Sequence, residues 1–300
     1  MKHNIGMIGI GMMGHGIARN LLKHGHALTV LEHPGNQPLA ELLAAGAATA
    51  TDPARLAAAV DVVILCVTGT PQVEAVLLGE GGESGDAGKG GVLAGLREGT
   101  VVIDCSTAVP TSTERVARAV QAAGGRFLDA PMTRTPKEAA EGRLNLLVGG
   151  DAELFARMRP LLACFAENIT HVGPIGAGHR MKLLHNYVSL GTIALIAEAA
   201  ACAQRGGVGM EVFVDVLAKG GGGGVALERL RGQLLANDPS GLRFSLANAQ
   251  KDIGYYSAMA DDGGAVKEIA AAVLETYRAA ATQAGAQALV PELVNLLAKR

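Results

Sequence analysis

In the stretch "GHRMKLLHNYVSLGTIALIAEAAACAQ", Lys182, His185, Asn186 and Ser189 stand at i, i+3, i+4 and i+7. On an α-helix these positions share one face. Met181, Leu184, Val188 and Leu195 fall on an apolar side, and the next turns of the polar stripe return to Ile193 and Ile196. A polar patch so short on an otherwise apolar helix should meet something polar; a solvated face with an ordinary lysine and histidine is the alternative. The chemistry that suits such a lysine is general acid/base catalysis. Shelter from water disfavours its charged form, so the amine can give a proton to a carbonyl oxygen during reduction and recover it during oxidation. Asn186, one turn on, can hold that oxygen or the lysine in place.

A second constellation opens the chain. In "NIGMIGIGMMGHGIARNLLKHG", Gly9, Gly11 and Gly14 form a G-x-G-x-x-G pattern between an apolar run and an amphipathic segment. Glycine accounts for 41 of 300 residues, so the pattern alone is weak and its placement must decide. Between a strand and a helix, the first glycine makes the tight turn and the second admits a pyrophosphate close to the backbone. The third lets helix pack on strand, and the helix N-terminus offers N–H donors and its dipole to the phosphates. A glycine turn with no ligand is the alternative. A second apolar run, "ALTVLE", ends in Glu32, where an acid can accept hydrogen bonds from ribose hydroxyls. A carboxylate there would repel a 2′-phosphate, and the following "HPGN" has no arginine to hold one. The cofactor expected is therefore NAD rather than NADP, with His33 left as a possible phosphate partner.

The elements that must position these residues fall into two halves. Up to about Gly173, the β-type runs "IGMIG", "ALTVLE", "DVVILCV", "TVVIDCS", "RFLDAP" and "LNLLVGG" alternate with helix-type stretches. That alternation predicts βαβ units and a doubly wound parallel sheet, an α/β fold class. After Gly178 strand-like runs cease, and helices are expected over about 179–205, 210–219, 225–236, 242–261, 263–284 and 289–298. The expected domains are 1–173 for the nucleotide and 174–300 for a long interdomain helix and an all-helical substrate and oligomerisation domain. "GEGGESGDAGKGG" at 79–91 reads as a flexible surface loop, and "KGGGGG" at 219–224 as a break between helices.

Composition excludes other classes. With 49% hydrophobic and 18% charged residues the chain can bury a sizeable core. A formal charge of −2 gives no broad basic field for nucleic acid, and no Lys/Arg run suggests a membrane surface. Cys66, Cys105, Cys164 and Cys202 lie far apart without ligand spacing, so no metal site and no disulfide framework are expected. No targeting or transmembrane segment is read, "TIALIAEAAACA" being short and carrying Glu198. The expected compartment is the cytoplasm.

Five ordered motifs together resemble the β-hydroxyacid dehydrogenase family, which contains 3-hydroxyisobutyrate dehydrogenase and tartronate semialdehyde reductase. They are "GMIGIGMMGHGIARNLLKHGH", "VIDCSTAVP", "DAPMTRTPKEAAEGRLNLLVGG", "GPIGAGHRMKLLHN" and "NAQKDIGYYSAMA". The resemblance covers essentially the whole chain. It implies a Rossmann domain, a long connecting helix and an all-helical domain that mediates homodimers or homotetramers. It implies Lys182 as catalytic lysine and Asn186 as its helper. Gly9, Gly11, Met12, Met13, Gly14, Glu32, Val67, Thr68 and Thr107 would line the NAD site, with Lys251 reaching in; a surface ion pair of Lys251 with Asp252 is the alternative.

The departures bear on substrate. Where many members carry Ser-Gly-Gly, this chain has Thr133-Arg134-Thr135. That Arg-Thr pair is most similar to the sulfolactaldehyde reductase branch, in which an arginine of this segment helps hold a sulfonate. There a serine matching Ser189 does the same, as does an asparagine at the position of His185. Thr68 replaces a usual proline. The substrate expected is a short hydroxy acid, semialdehyde or hydroxysulfonate, its anion clamped by Arg134, Thr135 and Ser189; a surface Arg134 paired with Glu138 is the alternative. The activity expected is NAD-linked hydride transfer. Imine reduction and a catalytically inactive NAD-binding scaffold are the other readings; retention of Lys182 argues against the first, and of Lys182 with Asn186 against the second.

Overall fold

Short apolar runs buried residue after residue suit strands covered on both faces, and this chain has three. They are the β4 (Val62–Leu65) and β5 (Val101–Asp104) strands and all but the first residue of β1 (Asn4–Ile8). The computed structural model describes residues 2–79 and 90–299; most of the glycine-rich stretch at 79–91 lies outside them. The remaining strands are β2 (Ala27–Leu31), β3 (Ala48–Ala50), β6 (Arg126–Asp129), β7 (Met132–Thr133), β8 (Leu144–Gly150) and β9 (Ala166–Gly173). They form one sheet in the order β3-β2-β1-β4-β5-β6-β8-β7, with β9 paired to β8.

From β3 to β6 the pairing is parallel, but β8 runs antiparallel to β6 and β7. The parallel sheet expected from the sequence forms the centre, and β8 adds antiparallel pairings at one side. Three strands escape the sequence pattern. β3 and β7 have three and two residues, too few to show a period, and β9 (AENITHVG) is largely polar and half-exposed.

Alternate residues of each central strand enter different cores. Ile5, Met7, Val30, Ile64 and Ile103 pack on one face with Ile17 and Leu21 of helix α1 (Met12–Lys23). Ile8, Leu31, Val63, Leu65 and Val102 pack on the other. The helices between strands are α2 (Ala40–Ala44), α3 (Pro53–Ala58), α4 (Thr70–Leu78), α5 (Val92–Gly95), α6 (Pro110–Ala122), α7 (Pro136–Glu141) and α8 (Ala152–Leu162). The second half is built of helices joined by turns, α9 (Ala177–Arg205), α10 (Met210–Ala218), α11 (Val225–Ala236), α12 (Leu246–Asp262), α13 (Glu268–Ala284) and α14 (Leu293–Ala298), with two short 3₁₀ turns and an isolated β-bridge between Ser245 and Leu289. α10 and α11 are separated by the polyglycine break. α12 starts later than the periodicity implies because the Ser245 hydroxyl caps it, accepting from the Asn248 N–H at 3.2 Å.

The chain forms two compact units, Met1–Lys182 and Leu183–Arg300, the division falling inside α9. The second unit has its own core of Leu190, Ile193, Leu227, Leu230, Ile253, Val273 and Leu293 around Tyr277, whose buried hydroxyl donates to the Leu190 carbonyl at 2.9 Å. α9 as a whole is long and apolar enough to cross a membrane by length and composition. Half of its most apolar window is nevertheless buried inside the protein, as in a core helix.

In the first unit α1 is docked on α7 by a buried amide. Asn20 Nδ2 donates to the carbonyls of Gly16, Ala139 and Ala140 at 2.9, 3.0 and 3.2 Å. Replacing Asn20 by Leu leaves the two α7 carbonyls without this donor. The expected loss of stability is about 1–3 kcal/mol, read as a lower guanidinium unfolding midpoint; an unchanged midpoint would show that the bridge contributes nothing.

Candidate active site

The strand order reverses at β1, which lies between β2 and β4. Open α/β sheets leave a crevice at such a point, beyond the carboxyl ends of the strands. Here those ends run into Gly9 after β1, Cys66-Val67-Thr68 after β4 and Ser106-Thr107 after β5. Gly9 has φ +96°, and a Cβ on it would sit 2.3 Å from the Cys66 carbonyl oxygen; one on Gly14 would sit 2.0 Å from the Gly9 oxygen. Packing explains both glycines. It does not explain Gly11, where a Cβ would meet nothing within 4 Å. Open space over the first turn of α1, with no side chain capping that helix, is the arrangement a pyrophosphate needs. Met12 is exposed, and Met13 packs on the core beneath.

Glu32 follows β2, exposed, its carboxylate bonded to no other described residue. With His33, Asn36 and Thr51 it borders an open depression of about 560 Å³. Asn36, which the sequence reading missed, ties this edge to the glycine loop: its Oδ1 accepts from the Ile10 N–H at 3.2 Å and its Nδ2 donates to the Leu31 carbonyl at 2.9 Å. Val67 N–H donates to Ser106 Oγ at 3.0 Å, Thr68 is exposed and Thr107 half-buried. Burial pushes the Cys66 thiol up to about 12, so it is no nucleophile.

The segment Thr133-Arg134-Thr135 is bonded within its own unit. Thr133 Oγ1 accepts from Asn145 Nδ2 at 3.1 Å. The Thr135 hydroxyl caps α7 and donates to Glu138, holding that carboxyl below the usual carboxylate range. Arg134 occupies a left-handed backbone conformation, φ +80°, a region that favours glycine. Such a conformation costs a non-glycine residue roughly 1 kcal/mol or more. Its guanidinium bonds the Arg143 carbonyl and Glu167, while Glu138, the alternative partner suggested by spacing, is taken by Thr135.

On α9, Lys182 and Ser189 are half-buried, His185 is exposed and Asn186 is buried. Asn186 Nδ2 donates to Asp252 Oδ2 at 2.6 Å, and its Oδ1 lies 3.0 Å from His185 Nδ1. Asp252 is itself buried and accepts from Lys251 Nζ at 2.7 Å, and that ammonium also sits 4.9 Å above the Tyr255 ring. Lys251 and Asp252 thus do form an ion pair, but one sunk into the second unit and joined to the polar stripe. Ser189 Oγ accepts from Arg229 Nη1 at 3.1 Å; the sequence reading singled out neither Asp252 nor Arg229 for a role in the site. Among the described residues no cluster of His, Cys, Asp and Glu could hold a metal.

Both halves of the chain are similar to known proteins. Residues 4–173 match the family model of the NAD-binding domain of 6-phosphogluconate dehydrogenase, and 176–297 that described as NAD-binding of NADP-dependent 3-hydroxyisobutyrate dehydrogenase. The chain is 34% identical to 2-hydroxy-3-oxopropionate reductase of Escherichia coli (strain K12), over 83% of this chain and 81% of the relative. It is 33% identical to 3-sulfolactaldehyde reductase of the same organism, over 91% and 88%. Mycobacterium tuberculosis 3-hydroxyisobutyrate dehydrogenase, solved with L-serine, superposes over 99% of both chains with TM-score 0.85 and 26% identity.

The glycines separate a ligand cradle from a plain turn. Gly11→Ala should leave the melting temperature of the free protein within a few degrees, since its Cβ enters open space, yet raise the Kd for NADH about tenfold or more by obstructing the backbone's approach to phosphate. Gly14→Ala should lower the melting temperature as well. Fluorescence titration and thermal melts read both; undiminished NADH affinity in Gly11→Ala would make this a turn without a ligand.

Proposed function

The chain belongs to the β-hydroxyacid dehydrogenase family, and on that premise we propose that it reduces a short anionic semialdehyde to its hydroxy acid or hydroxysulfonate, with Lys182 as general acid. It is an NAD(P)-binding oxidoreductase of the 3-hydroxyisobutyrate dehydrogenase type, acting on CH–OH donors. The observation that carries the finer reading is the Lys182–Asn186–Asp252 arrangement. Asn186 stands one helical turn from the lysine, and buried Asp252 fixes its amide.

Bound nicotinamide supplies the hydride for reduction and accepts it in the reverse direction. The chain supplies the rest. Gly11 and the first turn of α1 would receive the pyrophosphate, Glu32 would accept from the adenosine ribose, and Val67, Thr68 and Thr107 would line the rest of the cofactor site. Lys182 gives its proton to the carbonyl oxygen as that oxygen gains charge, and takes it back when the alcohol is oxidised. Asn186, oriented by Asp252, holds the oxygen or the lysine amine. Arg134 can clamp the anion only by exchanging Glu167 for it.

The head group is proposed to be a carboxylate or sulfonate, the two classes named for the relatives at 34% and 33% identity. The second unit exposes Val188, Leu195, Val212 and Val216, each at least 59% accessible. On that support the chain is proposed to work as a homodimer or homotetramer.

Lys182→Ala should lower kcat by about a hundredfold or more while leaving NADH affinity within about twofold. The assay is NADH oxidation with 2-hydroxy-3-oxopropanoate, sulfolactaldehyde and glyceraldehyde, and comparable turnover in the variant would remove the proton-transfer role. Silence of the wild type across that panel, with NADH bound, would favour imine reduction or an inactive scaffold. Glu32→Ala should narrow the NAD preference about tenfold, because repulsion of the 2′-phosphate goes with the carboxylate; an unaltered NAD/NADP ratio of kcat/KM would undo the cofactor assignment.

A further inference from the structure

Arg229 belongs to none of the motifs that the sequence reading singled out. It stands on α11, half-buried, and Nη1 donates to Ser189 Oγ at 3.1 Å. The neighbouring carboxylate is committed elsewhere: Glu228 is held by both Nε and Nη2 of Arg231, at 2.8 and 2.7 Å. Among the described residues no carboxylate lies within 4.0 Å of the Arg229 guanidinium. Burial, with no opposing charge, draws the group down from its usual range. A guanidinium has five N–H donors in a planar fork, and one of them is used here. A partly desolvated cation without a counter-ion is costly to keep, and the cost is offset when an anion binds.

We propose that Arg229 and Ser189 form the seat for the substrate's anionic head group, a short-chain carboxylate or sulfonate, and so set which aldehydes the enzyme accepts. The proposal rests on the reductase reading above and names the specificity residue of that same site. Ser189 stands two helical turns beyond Lys182 on α9, a rise of roughly 10 Å. Arg134 would have to give up Glu167 and the Arg143 carbonyl to receive the same anion; Arg229 gives up one hydroxyl, which itself remains as a donor to the ligand. The fork matches two oxygens of a carboxylate or a sulfonate.

The test separates binding from turnover. Isothermal titration of the NADH-saturated protein with D-glycerate, 2,3-dihydroxypropane-1-sulfonate and glycerol uses the alcohols that reduction would form, and an uncharged counterpart. The wild type should bind at least one of the anions and not glycerol. R229Q should weaken that anion about tenfold or more, R229K should recover part of the loss, and R134A should do less than R229Q. In kinetics, R229Q should raise KM for the matching aldehyde with kcat within about threefold, and leave glyceraldehyde reduction unmoved. The proposal is overturned by equal anion affinity in wild type and R229Q, by no anion binding in the wild type, or by R134A alone abolishing it. It is equally overturned if R229Q reduces anion and NADH affinity together with the melting temperature, since the arginine would then merely brace α9 against α11. Anion binding lost in R229Q in a protein that reduces no aldehyde would keep the seat and reject the reductase reading. Aldehyde reduction indifferent to Arg229 would do the reverse.

Discussion

The carboxylate of Asp129, at the end of β6 and wholly buried, fixes where the long helix begins. Its Oδ1 accepts from the Gly176 N–H and its Oδ2 from the His179 N–H, both at 2.8 Å. Two of the donors that a helix start leaves without intrahelical partners are thereby satisfied, by a negative charge at the positive end of the dipole. His179, also wholly buried, extends the tie: one ring nitrogen lies 2.8 Å from Thr113 Oγ1 on α6, and the other donates to the Ser106 carbonyl after β5 at 3.1 Å. The approach is so close that a Cβ on Gly149 or Gly178 would come within 2.5 or 2.7 Å of the Asp129 carboxylate oxygens. Removing one partner of such a buried charge costs about 3–5 kcal/mol. Burial also raises the affinity of Asp104 for its proton. Its Oδ2 stands 3.9 Å from His179 Nε2. Lys182 lies three residues past His179, and its starting direction is inherited from this anchor.

The other end of the chemistry depends on backbone rather than charge. β1 and β4 are apolar through both faces, so their carboxyl ends emerge side by side with no polar side chains to satisfy. The chain turns there on Gly9, whose missing Cβ lets the Cys66 carbonyl sit against it. Asn36 then stitches the loop to the end of β2. A rigid loop of N–H donors at a helix start carries no net charge, and so it can serve a protein of net charge −2 without the basic field that would attract polyanions indiscriminately.

Much of this was legible in the sequence because it is local. The glycine loop is written in fifteen consecutive residues, and the α9 stripe in eight. The three buried central strands announce themselves by short apolar runs rich in Val, Ile and Leu. What stayed illegible is long-range. Nothing near Asn186 shows that its amide is held by a carboxylate 66 positions on. Ser189 gives no sign of Arg229, 40 positions away. Arg134 reads as an anion clamp, with a surface residue as the alternative, until β9, itself too polar to be read as a strand, brings Glu167 to it. The reversal of β8 was hidden for another reason: a buried antiparallel strand has the same apolar pattern as a parallel one, and only its partners tell them apart.

A helix keeps its residues at fixed separations, and α9 uses that property. Along one stripe Lys182 inherits its start from the Asp129 knot, Asn186 is held by Asp252, and Ser189 is engaged by Arg229. Each support comes from a different element, so no single loop movement releases all three. If the head group sits at Ser189 and the reacting oxygen at Lys182, the intervening turns measure the distance from anion to carbonyl. A longer acid would bring its carbonyl past the lysine, and a shorter one would leave it out of reach of the proton. The same separation would serve carboxylate and sulfonate alike, because both present a pair of oxygens to a planar fork. Chain length would then be selected by the rise of the helix, and charge by Arg229. The choice between the two anions would then fall to the size of the space around that arginine, where a tetrahedral sulfonate needs room for a third oxygen that a planar carboxylate lacks.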